Sequence, residues 1–486
     1  MALGRCRAVA LVGLDGRLVE VEADIADGLP AFALVGLPDT SLAESRDRVR
    51  AALSNAGCPL PARRITVNLS PAALPKAGAG FDLAVAAALL VAGDKVDAAS
   101  VARRVHLGEL GLDGSVRAVR GALPAVLAAV TAGCPRVVVA QANAAEARLV
   151  PGAEVVAVST LADLIALHRG EPVSEPAGGG DVGPALPSRP GPDLADVVGQ
   201  VHARHALEVA AAGGHHLLMI GPPGAGKTML AARLPSLLPD LADDAAMEVT
   251  AIHSVAGTLD PAAGLIRRPP FEAPHHTCTP VALVGGGSGL PRPGAASRAH
   301  RGVLFLDEAA EFDVRALDAL RQPLEQGSLL IHRALGSARY PARFQLVMAA
   351  NPCPCGRSSG KGVDCTCAPA ARRRYLARLS GPLLDRMDLQ VEVNAVGRAD
   401  LARREPGEDS AAVRVRVDQA RLAQRDRLAG TPWTCNGEVP GSWLRGAWRL
   451  PARRTRSVDR LLDRGELTVR GYDRVLRVAY TLPSLM

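Results

Sequence analysis

The chain has 486 residues, of which 48% are apolar and only 3% aromatic, which is enough for packed cores in about three domains. No apolar run approaches the roughly 20 residues of a membrane-spanning helix, and nine cysteines, four of them clustered, do not suit a secreted disulfide framework. The net charge is +7 and only four basic residues are lysine, so the positive charge is borne by arginine, which grips phosphate bidentately and points to a nucleic-acid partner; a GC-rich genome writing Ala, Gly and Arg is the alternative source of that composition.

The start, MALGRCRAVALVGLDG, is basic with a short apolar stretch, but Asp15 and Arg17 follow at once and no small-residue cleavage site is evident. It reads as a first strand, not a secretion signal, which places the chain in the cytoplasm. Residues 8–12 and 18–25 are expected as strands about the turn Leu14-Asp15-Gly16. Strands over 32–38 and 64–69, a helix over 42–56 with Ser41 and Glu44 as a capping box, a helix over 81–92, and a strand–helix–strand run from Val116 to Val139 complete an α/β block. Residues 171–192, EPVSEPAGGGDVGPALPSRPGP, are rich in Pro and Gly and read as a linker.

After a helix over 202–212, the apolar run His216–Ile220 leads into GPPGAGKT: Gly221, Pro222, Pro223, Gly224, Ala225, Gly226, Lys227, Thr228. This fits G-x-x-x-x-G-K-[ST], followed by a helix over 229–238, and strand–loop–helix is the context in which backbone N–H groups cradle phosphates. Lys227 is expected on the β- and γ-phosphates of ATP and Thr228 on Mg²⁺. Residues 273–289, APHHTCTPVALVGGGSG, hold His275, His276 and Cys278 without a fourth ligand at zinc spacing, and read as a projecting loop. The apolar run 302–306 ends in Asp307 and Glu308, suited to the metal and to the attacking water. Residues 329–333 and 338–340 form a hairpin whose Arg333 and Arg339 are candidate phosphate contacts, an ordinary structural hairpin being the alternative. A further strand over 344–350 ends at Asn351, in the position of a sensor facing the γ-phosphate. Cys353, Cys355, Cys365 and Cys367, C-x-C-x9-C-x-C, suggest structural Zn²⁺, with free thiols or a redox pair as alternatives because C-x-C is tighter than the usual knuckle. Arg386 and Arg470 are candidates for the transition-state charge.

The residues Gly28–Phe32, Val35–Asp39, Glu44–Val49, Gly108–Leu110, Asn143–Ala147, the PHHT and LVGGG segments and the GPPGAGKT loop resemble the ComM/YifB family of magnesium-chelatase-like AAA+ ATPases over nearly the whole chain. The resemblance implies four parts. Residues 1–170 form an α/β domain of the Lon-protease (ribosomal S5) type and 171–192 the linker. Residues 193–395 form a P-loop α/β ATPase domain with a parallel sheet, and 396–486 a small helical lid. Members continue past the TLPSLM terminus, so the last helix is expected to be short, which bears on Arg470. It also places Val198, Gly199 and Gln200 near the adenine, Arg386 against the ATP of the next subunit, and Arg470 over the nucleotide. Gly80 and Leu123 stand where Lon has its Ser and Lys, so peptidase chemistry is not expected. Implied are a hexameric ring and a DNA helicase acting on single-stranded or branched DNA in competence, with no membrane association. A protein remodeller and a chelatase-type motor subunit are the alternatives.

Overall fold

The computed structural model describes residues 3–36, 44–76, 78–172, 191–287, 289–333, 336–358, 365–397 and 407–485. The first block is built on a mixed seven-stranded sheet in the order Ala31–Val35, Arg64–Ser70, Asp15–Ala26, Gly4–Val12, Val105–Leu107, Arg136–Ala140, Glu154–Val158. The two earliest strands pair antiparallel from Gly4↔Ala23 to Val12↔Asp15. Alternation in the second points Val19, Val21 and Ala23 inward and leaves Glu20 in water. Helix Asp82–Ala92 is apolar on every side and is buried from Asp82 to Val91. Its one acid, Asp82, is satisfied by Arg48, whose Nε donates at 2.7 Å. The helix foreseen over 42–56 is described over Ser45–Asn55, and Glu44 makes no side-chain cap there; Ser41 and the end of the strand foreseen over 32–38 lie outside the described residues, as does most of 171–192.

The second sheet is all parallel, in the order Phe271–Glu272, Val303–Leu306, Gln345–Ala350, Leu217–Ile220, Leu389–Glu392. Ile220 stands level with both Ala350 and Glu392, and Leu306 with Met348. The carboxyl ends of these strands therefore open on one edge, where open α/β sheets bind ligands. The helix expected over 229–238 is two short ones, Lys227–Ala231 and Leu234–Leu237. Pro235 lies in the first turn of the second helix, where a residue without an N–H is tolerated, and cannot continue the first.

The C-terminal part is helical, with Ser410–Arg427, Gly441–Arg445, Ala452–Asp463 and Val469–Thr481. Its small core gathers Leu428, Val439, Leu444 and Leu476 with Trp433, Trp448 and Tyr480. The long helix Asp243–Ala256 meets the first block. Ala251 joins the cluster of Leu123 and Val126, and Val255 Cγ2 would lie 3.3 Å from a Cβ on Gly121. Glu146, 5% exposed, accepts from the Leu123 N–H at 3.0 Å, from Asn143 Nδ2 at 3.1 Å and from the Ser254 hydroxyl of that helix. Among the described residues no helix is long and apolar enough to cross a membrane.

Candidate functional site

The loop from Gly221 to Gly226 leaves the strand Leu217–Ile220 at the carboxyl edge of the parallel sheet. Gly221 has no room for a side chain, since a Cβ there would lie 2.1 Å from the Val393 carbonyl oxygen. Gly224 and Gly226 take φ of +75° and +90°, which glycine adopts without strain. Lys227 folds back over the loop. Its Nζ donates to the carbonyls of Gly221 and Pro222 at 2.7 and 3.0 Å and to Asn351 Oδ1 at 3.1 Å. Three acceptors use all three ammonium hydrogens. Burial pulls this ammonium below its usual pKa, and the charges of Asp307 and Glu308 oppose that pull. The two carbonyls and the Asn351 amide oxygen are neutral and so weaker acceptors for a cation than phosphate oxygens, which can replace them with gain.

Thr228 Oγ1 donates to Asp307 Oδ2 at 2.6 Å, which sets a hydroxyl and a carboxylate side by side as a hard divalent cation requires. The Glu308 N–H donates to Asp307 Oδ1 at 2.9 Å. Glu308 itself sits at φ +51°, a left-handed conformation that costs a non-glycine residue about 1–3 kcal/mol. Its Oε2 is 3.2 Å from His276 Nδ1. This partnership was not read from the sequence, since it joins residues 32 apart through strand pairing. Gly199 and Gln200 also take positive φ, and Gln200 Nε2 donates to the Ala225 carbonyl at 3.1 Å and to that of Asn394. Gln200 thus lies against the loop Gly221–Gly226, with Gly199 and Val198, 40% exposed, just before it in the chain.

The strand ending at Ala350 runs through Asn351 into the cysteines. The sulfurs of Cys353, Cys355, Cys365 and Cys367 all lie within 4.8 Å of one another. Cys353 is 3.3 Å from Cys355 and 3.7 Å from Cys365, and Cys355 is 3.7 Å from Cys365. A tetrahedron of Zn–S bonds of ~2.3 Å has S···S edges of ~3.8 Å, so the four thiols fit that ion. The Arg357 N–H, and then the Cys353 thiol, hold the Cys355 thiol down at about 6. Gly356 of this loop touches the nucleotide loop: a Cβ on it would lie 2.5 Å from Pro223 Cδ. Among the described residues His275, His276 and Cys278 do not gather as metal ligands.

Arg386 and Arg470 come together elsewhere. Arg470 pairs with Asp385 at 2.9 Å, Arg386 pairs with Glu325, and both line an open crevice that includes no residue of Gly221–Thr228. Burial, then the charges of Arg470 and Arg321, lower the pKa of Arg386. The hairpin foreseen around Arg333 runs Ser328–Arg333 and Gly336–Pro341, with Leu330 opposite Arg339. Leu329, Ile331, Ala338 and Tyr340 face inward, and Arg333 and Arg339 are exposed. In the first block Gly80 lies in a short turn and Leu123 is wholly buried; neither side chain can attack an amide.

Comparison with known proteins agrees with this arrangement. The family model "Magnesium chelatase, subunit ChlI" matches residues 193–401, "Subunit ChlI of Mg-chelatase" matches 21–143, and the C-terminal model of the same subunit matches 407–485. An uncharacterised protein of Mycobacterium tuberculosis is 54% identical over 100% of this chain and 95% of its own length. Competence protein ComM of Haemophilus influenzae is 41% identical, and YifB of Escherichia coli 40%, each over 100% of this chain and 94% of its own length. Lon protease 2 of Bacillus subtilis is 30% identical over 29% of this chain and 26% of its own. A glycine-rich loop ending in Lys227 and Thr228, two acids at the tip of the strand Val303–Leu306 and Asn351 on the strand between them, matched end to end by ComM and YifB, make the chain a member of the ComM/YifB family of magnesium-chelatase-like AAA+ proteins.

Proposed function

We propose that the protein is an ATP-hydrolysing motor that works on single-stranded or branched DNA as a homo-hexameric ring in the cytoplasm. The observation that carries the reading is the array in which Lys227 reaches Asn351 and Thr228 reaches Asp307, with Glu308 next in the chain. Lys227 and the loop N–H groups bind the β- and γ-phosphates. Thr228 and Asp307 would hold Mg²⁺, which neutralises charge on the transferring phosphoryl group. Val198, Gly199 and Gln200 border the adenine. Glu308 takes a proton from water as the water oxygen bonds to the γ-phosphorus and the bond to the bridging oxygen breaks, releasing ADP. Asn351 orients the γ-phosphate. Arg386 supplies positive charge to the ATP of the neighbouring subunit, and the helical lid carries Arg470 over the nucleotide. Cys353, Cys355, Cys365 and Cys367 hold a structural Zn²⁺.

We assign residues 1–170 as an assembly module without peptidase chemistry, 171–192 as linker, 193–395 as motor and 396–486 as lid. The DNA reading is supported by the net charge of +7, carried by arginine, by the exposed arginines of the hairpin and by the competence protein among the relatives. The test is the ATPase rate alone, with single-stranded DNA, with forked DNA and with unfolded protein. Stimulation by DNA is expected; stimulation by unfolded protein alone would make the motor a protein remodeller.

A further inference from the structure

Helix Ala452–Asp463 of the C-terminal part turns two unlike faces to its surroundings. Thr455, buried, and Val458, Asp459 and Leu462, half-buried, recur at the three- and four-residue spacing of a single face. This face is the one that packs. The Tyr472 hydroxyl, from helix Val469–Thr481, donates to Asp459 Oδ1 at 2.7 Å, and the Thr455 hydroxyl donates to Asp459 Oδ2 at 2.8 Å. Both oxygens of Asp459 are thus spent on the inner side of the helix.

The outer face carries Arg453, Arg456 and Arg460, again at three- and four-residue spacing, and all three are exposed. Among the described residues none of the three guanidinium groups has an ion pair or a hydrogen bond. Asp463, exposed at the helix end, pairs with none of them, and Glu466 goes to Arg464 at 3.8 Å. Other arginines of the same helical part are matched with acids: Arg414 with Asp240 at 3.1 Å, Arg416 with Glu208 at 2.6 Å, and Arg445 with Asp473. An arginine-rich composition supplies guanidinium groups to every surface, but it does not sort one helix face to be free of acids. Like charges at three- and four-residue spacing also repel, a cost that a face meant only for water need not carry.

We propose that this outer face is a second DNA contact, apart from the hairpin, and that it holds the phosphates of a duplex arm. The proposal rests on the motor reading above. A helix rises ~1.5 Å per residue, so Arg453 to Arg460 span ~10.5 Å. Phosphates on one strand of a duplex advance ~3.4 Å along its axis, so that span faces about three phosphate steps, one per arginine. The three groups stand at fixed separations on a rigid helix, which suits the regular backbone of a duplex better than the changing geometry of a single strand. Each guanidinium grips a phosphate bidentately, and such contacts position the duplex without reading its sequence. With Asp459 drawn inward, no carboxylate stands between the arginines and the strand. A forked DNA offers both partners at once, a single strand for the hairpin and a duplex arm for the lid.

The experiment uses the full-length protein and a labelled blunt-ended duplex, with affinity followed by fluorescence anisotropy across a salt series. The lid variant Arg453→Gln, Arg456→Gln, Arg460→Gln is compared with Arg17→Gln, Arg103→Gln, Arg148→Gln, which removes the same three charges from exposed positions scattered over the first block. The three lid side chains bond to nothing else in the fold, so their replacement leaves the lid intact. Each phosphate no longer neutralised flattens the log–log slope by ~0.9, so the lid variant is expected to lose about 2.7 of slope and each of its single substitutions ~0.9. Raising salt from 50 to 200 mM then costs the parental protein about 40-fold more affinity than it costs the lid variant. The scattered variant is expected to keep the parental slope. A parental slope in the lid variant, an equal flattening in the scattered variant, or a parental protein that does not bind duplex at low salt each overturns the proposal. The motor reading is judged separately, by stimulation of the parental ATPase with single-stranded DNA, so the duplex contact can fail while that reading stands.

Discussion

Gly356 offers a sharp test of whether the cysteine loop and the nucleotide loop are one mechanical unit. It sits at φ +75°, and a Cβ would fall 2.5 Å from Cδ and 2.7 Å from Cγ of Pro223. Carbon atoms in contact settle at ~3.5–4.0 Å, so in Gly356→Ala the two loops must part by about 1 Å. The pyrrolidine ring cannot rotate out of the way. The left-handed backbone adds about 1–2 kcal/mol against folding. Misplacing a substrate-positioning group by ~1 Å costs about 10²-fold in rate, which is ~2.7 kcal/mol of barrier. We therefore expect Gly356→Ala to lower kcat/KM for ATP about 10²-fold in steady-state assays. Gly133→Ala is the control. It has φ +77° with open space around the new methyl, so it carries the backbone cost and should leave ATP turnover intact. Parental kcat/KM in Gly356→Ala would refute the idea that the cysteine loop buttresses the phosphate loop.

Glu308→Gln should bind ATP and lose about 10²–10⁴-fold in kcat, the worth of a general base, whereas Lys227→Ala should lose nucleotide binding or turnover altogether; a nucleotide-binding assay beside the ATPase assay separates them. Purified protein should carry about one zinc per chain by elemental analysis, and stripping it should lower the melting temperature; four freely titratable thiols in metal-poor protein would end the assignment. Binding to labelled single-stranded DNA should weaken steeply with salt, and Arg333→Ala with Arg339→Ala should flatten the log–log slope by about 1.4, or ~0.7 for each phosphate no longer neutralised. Fluorescence anisotropy across a salt series measures it, and a slope unaffected by the double substitution would remove the hairpin from the interface.

Much of the site was legible because its chemistry lies in contiguous motifs. Gly221–Thr228 forces its own strand–loop–helix, and the runs ending at Asp307 and Asn351 are apolar enough to be read as buried strands. The cysteines announce their own grouping. What escaped lies in pairings across the chain. Phe271–Glu272 is a two-residue strand with no pattern of its own, yet it sets the level of His276. Leu389–Glu392 is short and half-exposed, and only its pairing with Leu217–Ile220 makes it part of the sheet. Helix Asp243–Ala256 is rich in alanine and is held on two sides, Ala251 in the core of the first block and His253 at the Arg298 carbonyl, so no single apolar stripe marks it in the sequence. The pairing of Arg470 with Asp385 joins residues far apart in the chain, a packing choice no local pattern encodes.

Glu146 belongs to two halves at once, and this decides how the protein can be dissected. Its carboxylate collects donors from Leu123 and Asn143 on one side and from Ser254 on the other. A fragment beginning after the linker would bare Met247, Ala251 and Val255 to water and leave Ser254 without its acceptor. The complementary fragment would keep the acid but lose one of its donors, at about 1–3 kcal/mol. A severed motor is therefore a poor stand-in for the intact chain, because silence from it would report a missing foothold as readily as a missing regulator. Ser254→Ala in the full-length protein unfastens the same joint without exposing the surfaces beneath it.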